Sequence, residues 1–283
     1  MIKLENTKIV GLEPAIRGMR NPMNSWDKSD SKYCDERQCL DCPGYSSGKC
    51  DKYYFAEDYI IGPNDLDLMK RLAAGGSVHA KYRRMIVVYA DVTAPLYWWK
   101  EFKTYRAGRV FGDQEPETIS DYLEYDIEMN SCSTMHKIHA KEFELEDFSC
   151  EHLIFDKDVP LEEYENACGD INAWNNINDQ YCGVEDTDFV DFNTFPGECL
   201  KYTISFLNRA RNLYLETKNK KYWWQMIQLL PSSYNQKRTV MLNYEVLHNI
   251  YTSRKDHKLD EWHTFCDWIE DLPYAKEVIT CQN

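Results

Sequence analysis

The feature that most constrains this chain is a mostly apolar, β-branched run that leads through a proline into an aromatic-rich segment. The run Met85–Val92 is typical of a well-buried strand, because β-branched residues fit a pleated, buried surface. Pro95 ends the strand, and the residues 96–106 that follow predict a helix. A buried strand joined directly to an amphipathic helix favours a mixed α/β fold.

Further elements follow from periodicity and from capping residues. A strand is predicted near the amino terminus, and five further helices are predicted from apolar spacing, with proline or glycine at several of their ends. The stripe Val240, Tyr244, Leu247 and Tyr251 has spacings of about 4, 3 and 4, which are typical of the core face of a helix. The strand is expected over 3–12, and the helices over 66–72, 200–216, 222–230, 239–254 and 258–271.

Charge and length exclude some classes of protein. The 283 residues carry 33 Lys and Arg against 47 Asp and Glu, a net charge of −14. A protein whose main partner is a nucleic-acid backbone needs a basic surface, so this class is not expected. No apolar run approaches the roughly 18 residues of a membrane span, and the start does not resemble a signal peptide. We therefore expect a cytoplasmic protein without a membrane partner.

Four of the eleven cysteines form a cluster in a Cys-rich loop over residues 34–52. Cys39 and Cys42 form a C-x2-C pair beside a Pro-Gly turn, which suits a tetrahedral thiolate site. The sequence predicts a structural zinc ion held by Cys34, Cys39, Cys42 and Cys50. An exposed loop without a metal and an iron–sulfur loop are the alternatives, although the last cysteine of a plant-type iron–sulfur loop normally lies farther along the chain.

Two acidic stretches interrupt the predicted elements. Residues 109–129 and 156–196 are rich in Asp, Glu and Asn and contain glycine and proline. Such stretches are typical of surface insertions, and no internal repeat is present. We therefore expect a single domain over 1–283 that carries two acidic insertions and the Cys-rich loop.

Two groups of polar residues are candidates for a ligand site. On a helix over 239–254, Asn243 and Arg254 would return to within about 20° of one face, about 16 Å apart along the axis, with Asn249 on the flank. Such a stripe would span a long ligand such as a dinucleotide, and a solvated polar face is the alternative. The segment 130–137 is dense in hydroxyl groups, and at a helix start it would bind an anion. Ordinary helix capping is the alternative there.

Three stretches together resemble the flavin-dependent thymidylate synthases, which methylate dUMP using FAD, NADPH and methylenetetrahydrofolate. The resemblance implies a mixed α/β fold, a homotetramer with shared active sites, and a pyrimidine nucleotide as substrate. It covers roughly residues 60–145 and 200–272, and the Cys-rich loop and both acidic stretches fall outside it. The stretches that carry it are His79–Pro95 with the helix to Arg106, Asn130–Ser133, and the spaced set Leu230, Pro231, Asn243 and Arg254.

The resemblance assigns roles to individual residues. Arg254 matches the arginine that contacts the uracil ring and assists ionisation at N3, which makes it the expected catalytic residue. The residues expected to bind substrate are Ser131, Cys132, Ser133, Thr134 and Glu101. The residues expected to contact the flavin cofactor are Arg106, Asn243, Asn249 and His79.

The sequence departs from the family pattern at several of its cationic positions. Thr104 and Tyr105 stand where the family has arginine and histidine, and Glu245 replaces an arginine on the flavin side. Met135 replaces the arginine that would pair with the dUMP phosphate, and Ile227 lies near the position of another expected phosphate arginine. A charge-assisted hydrogen bond is worth about 1.5–3 kcal/mol, so these replacements weaken nucleotide binding unless other cations substitute for them.

Three functions stay open at this point. The first is a flavin enzyme that transfers a one-carbon unit to C5 of a pyrimidine nucleotide. The second is a non-catalytic or re-tasked nucleotide-binding protein on the same scaffold. The third is an interaction protein whose working surface is the Cys-rich loop and the acidic insertions.

Overall fold

The computed structural model describes residues 2–33, 59–105, 127–155 and 196–281. These residues form two compact units, one from the amino terminus to Cys132 and again from Gln236 onward, the other from Ser133 to Asn235. The strands are β1 Lys3–Val10, β2 Lys32–Tyr33, β3 Tyr59–Ile60, β4 Val87–Pro95, β5 Glu128–Ser131 and β6 Asn235–Asn243. The helices are α1 Leu12–Arg20, α2 Pro63–Ala74, α3 Leu96–Phe102, α4 Pro196–Thr217, α5 Lys220–Leu229, α6 Tyr244–Arg254, α7 Asp260–Glu270 and α8 Ala275–Val278.

The first unit is built on a four-stranded sheet in the order β1-β4-β6-β5. Strands β1 and β4 are antiparallel, with Val10 opposite Val87 and Lys3 opposite Thr93, and an irregularity falls between Glu5 and Lys8. Strands β5 and β6 are also antiparallel. The prediction of a mixed α/β fold is confirmed, and the buried strand predicted from Met85 begins two residues later, at Val87.

The core of this unit is aromatic, and the junction of β4 with α3 explains why. Pro95 ends the strand, and Trp98, Trp99 and Phe102 of α3 are fully buried. Trp98 contacts Trp262 of α7 at a ring-centroid distance of 4.8 Å and stacks on Phe102 at the same distance. Large aromatic side chains bury the most apolar area per residue, so this cluster fixes α7 against α3.

The long helix predicted over 239–254 is wrong in its first five residues. Residues 235–243 form strand β6, and α6 begins only at Tyr244. Buried side chains alternate along the strand, at Gln236, Arg238, Val240 and Leu242. Two of these four are polar, so the period of two is hidden from a reading of hydrophobicity alone.

Helix α1 is absent from the sequence prediction, which extends a strand to residue 12 and predicts no helix before residue 66. Gly11 precedes the helix with a φ of 92°, and a Cβ there would lie 2.4 Å from the carbonyl oxygen of Met85. Only glycine fits such a position, so this glycine marks a close approach and a turn into a helix. Leu12, Ala15 and Ile16 form the buried face of α1.

A buried carboxylate holds the segment after α1 in place. Asp65 of α2 receives hydrogen bonds from Arg20 at 2.6 Å, Ser29 at 2.7 Å and Ser31 at 2.6 Å. Burial alone raises the pKa of Asp65, but the hydrogen bonds from Ser31, Ser29 and Arg20 outweigh it and hold this pKa below its usual value.

The second unit is a helical hairpin with an irregular segment packed on it. Its core includes Phe143, Phe148, Leu200, Leu207 and Met226. Asn208 of α4 fixes the irregular segment, because its side chain both accepts from the Phe143 amide and donates to the Phe143 carbonyl, each at 2.8 Å.

Only the ends of the two predicted acidic insertions lie within the described residues. Residues 128 and 129 belong to the sheet, since β5 begins at Glu128, and Pro196 is already the first residue of α4. The remainder of both stretches lies outside the described residues, and the single domain stays a prediction. Among the helices described, none is long and apolar enough to cross a membrane.

Candidate functional site

Arg254 lies at the carboxyl end of α6, where the helix is firmly anchored. Asn243 caps the other end, with its side-chain oxygen accepting from the Val246 amide at 3.0 Å. Tyr244, Leu247 and Ile250 bury one face of the helix. A cation in the last turn is also favoured by the helix dipole, so the fold holds this guanidinium at a fixed place.

Two aromatic rings form walls around the Arg254 guanidinium. Its central carbon lies 5.2 Å from the ring centre of Tyr105 and 5.1 Å from that of Trp262. The two rings are edge-to-face, 5.6 Å apart. Cation–π contact of this kind orients a guanidinium without using its hydrogen-bond donors.

One carboxylate lies beside Arg254. Glu101 of α3 is 3.8 Å from Nη1 of Arg254 and 3.9 Å from Nε2 of His257. The same carboxylate oxygen accepts from the Trp262 indole at 2.9 Å. We call Glu101, Tyr105, Arg254 and Trp262 the Arg254 cluster. The contact of Glu101 with substrate stays a prediction.

The donors of Arg254 are mostly unused. Nε donates to the Tyr105 hydroxyl, and within the described residues neither Nη1 nor Nη2 makes a hydrogen bond. A guanidinium has five N–H donors, so four are available to a ligand. The side chain is 20% exposed, which leaves it open on one side.

Tyr105 stands where the resemblance expects a histidine, and its hydroxyl accepts a hydrogen bond from Arg254. Burial raises the pKa of this hydroxyl and outweighs the nearby Arg254, which lowers it, and Glu101 adds a smaller rise. The hydroxyl is therefore un-ionised at neutral pH, and no proton is transferred in its bond with Arg254.

The residues expected to contact flavin have different surroundings. The Asn243 oxygen is committed to capping α6, a use that the predicted longer helix does not include. Asn249 is half-buried and its side chain makes no hydrogen bond within the described part of the chain. His79 is exposed in the turn after α2, against Gly75. Arg106 lies outside the described residues.

The serine-rich segment is not a helix start, so the predicted helix-dipole anion site is wrong. Ser131 ends β5 opposite Arg238, and the Cys132 amide continues the ladder by donating to the Lys237 carbonyl at 2.9 Å. Ser131 and Cys132 are exposed members of the first unit.

The other two residues of that segment belong to the second unit. The Ser133 hydroxyl accepts from the amides of Met135 at 3.3 Å and His136 at 2.9 Å, so it satisfies the donors that would otherwise face an anion. Thr134 is half-buried beside it. A binding role for Ser133 and Thr134 stays a prediction.

A buried ion pair accounts for one departure from the family pattern. Glu245 lies 3.6 Å from Arg83, with the two side chains 2% and 1% exposed. Arg83 also donates to the Cys281 sulfur at 3.4 Å. Glu245 therefore has a structural partner in this chain, and no sequence signal links it to Arg83 across 162 positions.

The predicted metal ligands Cys34, Cys39, Cys42 and Cys50 all lie outside the described residues. Within residues 2–33, 59–105, 127–155 and 196–281, no group of three His, Cys, Asp or Glu side chains is arranged to hold a metal ion. The zinc site at the Cys-rich loop stays a prediction.

Comparison with solved structures shows which fold this is. Two structures of the flavin-dependent thymidylate synthase X (ThyX) from Helicobacter pylori, both with FAD and dUMP, match with a TM-score of 0.50 each. Sequence identities are 15% and 16%, and the alignments cover 99% of this chain and 96% and 97% of the others. No protein-family model matches the sequence, and no curated protein matches it. The chain thus has a thymidylate-synthase-X-like fold.

Proposed function

We propose that this chain is a flavin-dependent enzyme that transfers a one-carbon unit to C5 of a pyrimidine deoxynucleotide, converting dUMP to dTMP. The observation that carries the proposal is Arg254, held between two aromatic rings with four N–H donors that no described residue uses. The fold supports it, because the similar Helicobacter pylori structures contain FAD and dUMP.

Arg254 would act on the pyrimidine ring through its fixed charge. A cation beside N3 stabilises the negative charge that develops when that nitrogen loses its proton, and this raises the nucleophilicity of C5. The aromatic walls keep water away from one side of the guanidinium, which strengthens its field compared with that of an exposed arginine. Because Tyr105 and Trp262 already orient Arg254, little reorganisation is needed at the moment of reaction.

Two of the residues expected to contact flavin have side chains available for such a contact. Asn249 offers an uncommitted amide and His79 an exposed imidazole, whereas the Asn243 oxygen is used in the helix cap. Asn249 and His79 are therefore the residues that would hold FAD within the described part of the chain. Bound FAD would supply the reducing equivalents for methylation, with NADPH and methylenetetrahydrofolate as co-substrates and a homotetramer as the assembly.

A second candidate is a nucleotide-binding protein without turnover. It is favoured by Glu245, which is buried against Arg83 where the family pattern has an arginine beside flavin. It is also favoured by Glu101, whose carboxylate neutralises part of the Arg254 charge. This candidate keeps the nucleotide at Arg254 and omits the reaction.

The test is FAD uptake and tritium release from labelled dUMP, measured with NADPH and methylenetetrahydrofolate. We expect a yellow protein with turnover, and Arg254→Ala lowers turnover by about 10²–10³-fold, the usual effect of removing one electrostatic stabiliser. Arg71→Ala is the matched control, since Arg71 is an exposed arginine paired with Asp67 on α2. Nucleotide binding without FAD uptake favours the second candidate, and equal turnover in Arg254→Ala contradicts the role of Arg254.

A further inference from the structure

Arg238 is a buried arginine on the core face of β6. It is 6% exposed, and its guanidinium carbon lies 4.3 Å from the ring centre of Trp99. The Trp99 indole in turn donates to the Gln236 carbonyl at 3.0 Å. The cation is therefore fixed on an indole face, as Arg254 is, but at a different part of the aromatic core.

The charge of Arg238 is not compensated by any carboxylate in the described residues. Nε and Nη2 donate to one neutral acceptor, the side-chain oxygen of Gln236, at 3.0 and 2.7 Å, and Nη1 contacts the Met129 sulfur at 3.1 Å. Three of the five N–H donors are used, which leaves two. Burial lowers the pKa of Arg238, as expected for a cation without an anion nearby.

Lys237, next to Arg238 on the same strand, differs from it in having carboxylate partners among the described residues. Lys237 is on the other face of β6, where it pairs with Glu5 at 3.5 Å and with Asp91 at 3.3 Å. The exposed cation thus has two carboxylates, and the buried one has none within the described residues. A buried charge without an anion destabilises a fold, so a ligand that supplies the anion would be stabilised at Arg238.

The surroundings of Arg238 include the Ser131 hydroxyl, which makes no hydrogen bond within the described residues. Ser131 is directly opposite Arg238 in the β5–β6 pair, so the two side chains are on the same face of the sheet. The Cys132 amide bonds to the Lys237 carbonyl, which places the pair Ser131–Arg238 at a non-hydrogen-bonded position, where side chains are closest. Ser131 is exposed at the end of β5, the last strand of this sheet, and so it marks the side from which a ligand would approach.

We infer that Arg238 and Ser131 form an oxoanion site that binds the phosphate group of a nucleotide monophosphate. A phosphate oxygen would accept from the two free N–H groups of Arg238 and from the Ser131 hydroxyl, and its charge would compensate the buried cation. The identification of that phosphate as part of a nucleotide rests on the proposed function.

Two further observations support a nucleotide as the source of this phosphate. Arg238 and Arg254 lie on one aromatic cluster, because Trp98 contacts both Trp99, at 5.0 Å, and Trp262, at 4.8 Å. In addition, Met135 replaces a phosphate-pairing arginine of the family pattern and Ile227 lies near another, so a bound nucleotide phosphate needs a cation elsewhere. Arg238 supplies one.

The test compares Arg238→Met with the matched neighbour Lys237→Met in the full-length chain, using calorimetric titration with dUMP, deoxyuridine and inorganic phosphate. We expect Arg238→Met to weaken dUMP and phosphate binding by about 10- to 100-fold, the usual range for a charge-assisted bond. Deoxyuridine binding stays within about twofold, and Lys237→Met changes no affinity by more than that. Loss of dUMP affinity without loss of phosphate affinity, or equal losses for dUMP and deoxyuridine, overturns the inference.

Thermal unfolding supplies a readout that a purely structural arginine would not give. Without ligand, we expect Arg238→Met to unfold at the same or a higher temperature than the wild type, because an uncompensated buried charge is removed. Phosphate raises the unfolding temperature of the wild type and not that of the variant. If Arg238→Met does not fold, Arg238→Lys is titrated instead, and unchanged phosphate affinity in that variant overturns the inference, because a lysine cannot offer the paired donors.

These results separate the inference from the proposed function. Arg238-dependent phosphate binding in a protein that takes up no FAD supports the anion site and contradicts the flavin enzyme. Turnover of dUMP that is unaffected by Arg238→Met supports the enzyme and contradicts the anion site.

Discussion

Arg254 and Arg238 are two arginines on one aromatic core, and they differ in charge compensation. Each guanidinium lies on an indole, that of Trp262 or that of Trp99. Arg254 has the Glu101 carboxylate beside it, whereas Arg238 is held only by neutral groups among the described residues. The difference teaches that a partly exposed cation can keep a carboxylate beside it and still offer donors to a ligand, whereas a buried cation without a carboxylate suggests an anionic ligand.

Two other buried arginines extend this comparison, because the charge of each is balanced by a carboxylate of the same fold. Arg20 pairs with Asp65 at 2.6 Å in a well-bonded network, and Arg83 pairs with Glu245 at 3.6 Å in a poorer geometry. If a buried arginine needs a carboxylate to balance its charge, removing that carboxylate should lower the free energy of unfolding. The loss should be larger for the pair with the better hydrogen-bond geometry.

The largest effect is expected for Asp65→Asn. The change leaves Arg20 buried without its anion and places an amide where backbone and hydroxyl donors converge, so we expect a loss of about 3–5 kcal/mol in the free energy of unfolding. Denaturant unfolding measures it, with Asp67→Asn on the exposed face of the same helix as the control. A loss below about 1 kcal/mol would show that buried compensation is unimportant here.

The same carboxylate predicts a dependence of stability on pH. Because the pKa of Asp65 is lower in the folded protein than its usual value of 3.8, its contribution is complete above that value and is lost as the pH falls through the folded pKa. Unfolding curves of the wild type and Asp65→Asn should therefore converge below about pH 4. Curves that stay parallel down to pH 2 would contradict the assignment.

A smaller effect is expected for Glu245→Gln. Arg83 Nε has no hydrogen-bond partner among the described residues, so less is lost, and we expect about 1–3 kcal/mol. The double variant Arg83→Met, Glu245→Leu should recover most of that loss, because a buried pair is replaceable by apolar side chains. Glu128→Gln, at an exposed position in β5, is the control for the single change. A double variant less stable than Glu245→Gln would contradict this account.

The smallest effect is expected for Glu101→Gln in the Arg254 cluster. An amide keeps the bond from the Trp262 indole, and the Arg254 side chain is still oriented by two rings. A half-exposed ion pair is worth less than about 1 kcal/mol, so kcat/KM with dUMP should change by less than about fivefold. A loss comparable with that of Arg254→Ala would instead place Glu101 in direct contact with the substrate.

The sequence predicts the apolar parts of this fold and misses the parts held by polar contacts. The buried strand β4, the helix after Pro95 and the helices of the last third are predicted because their patterns are hydrophobic. Strand β6 is mistaken for a helix because Gln236 and Arg238 occupy core positions, where their polarity conceals the period of two. Helix α1 is missed because Pro14, Gly18 and Pro22 suggest an irregular segment. Gly11, which the contact with the Met85 carbonyl requires, falls inside the predicted strand.

The sequence predicts the central residue of the candidate site but not the residues that surround it. The spacing of Leu230, Pro231, Asn243 and Arg254 identifies Arg254 through a resemblance. Its partners Tyr105 and Trp262 lie 149 and eight positions away along the chain, and only the folded structure brings them together. No sequence motif marks Arg238. Its importance follows from the lack of a carboxylate near its guanidinium among the described residues.

A structure of the protein with dUMP bound tests the role of Arg254 most directly. We predict that the uracil ring lies within hydrogen-bond distance of Nη1 or Nη2 of Arg254, with Tyr105 and Trp262 in the positions described above. If dUMP binds elsewhere on the protein and makes no contact with Arg254, the proposed role of this guanidinium is contradicted.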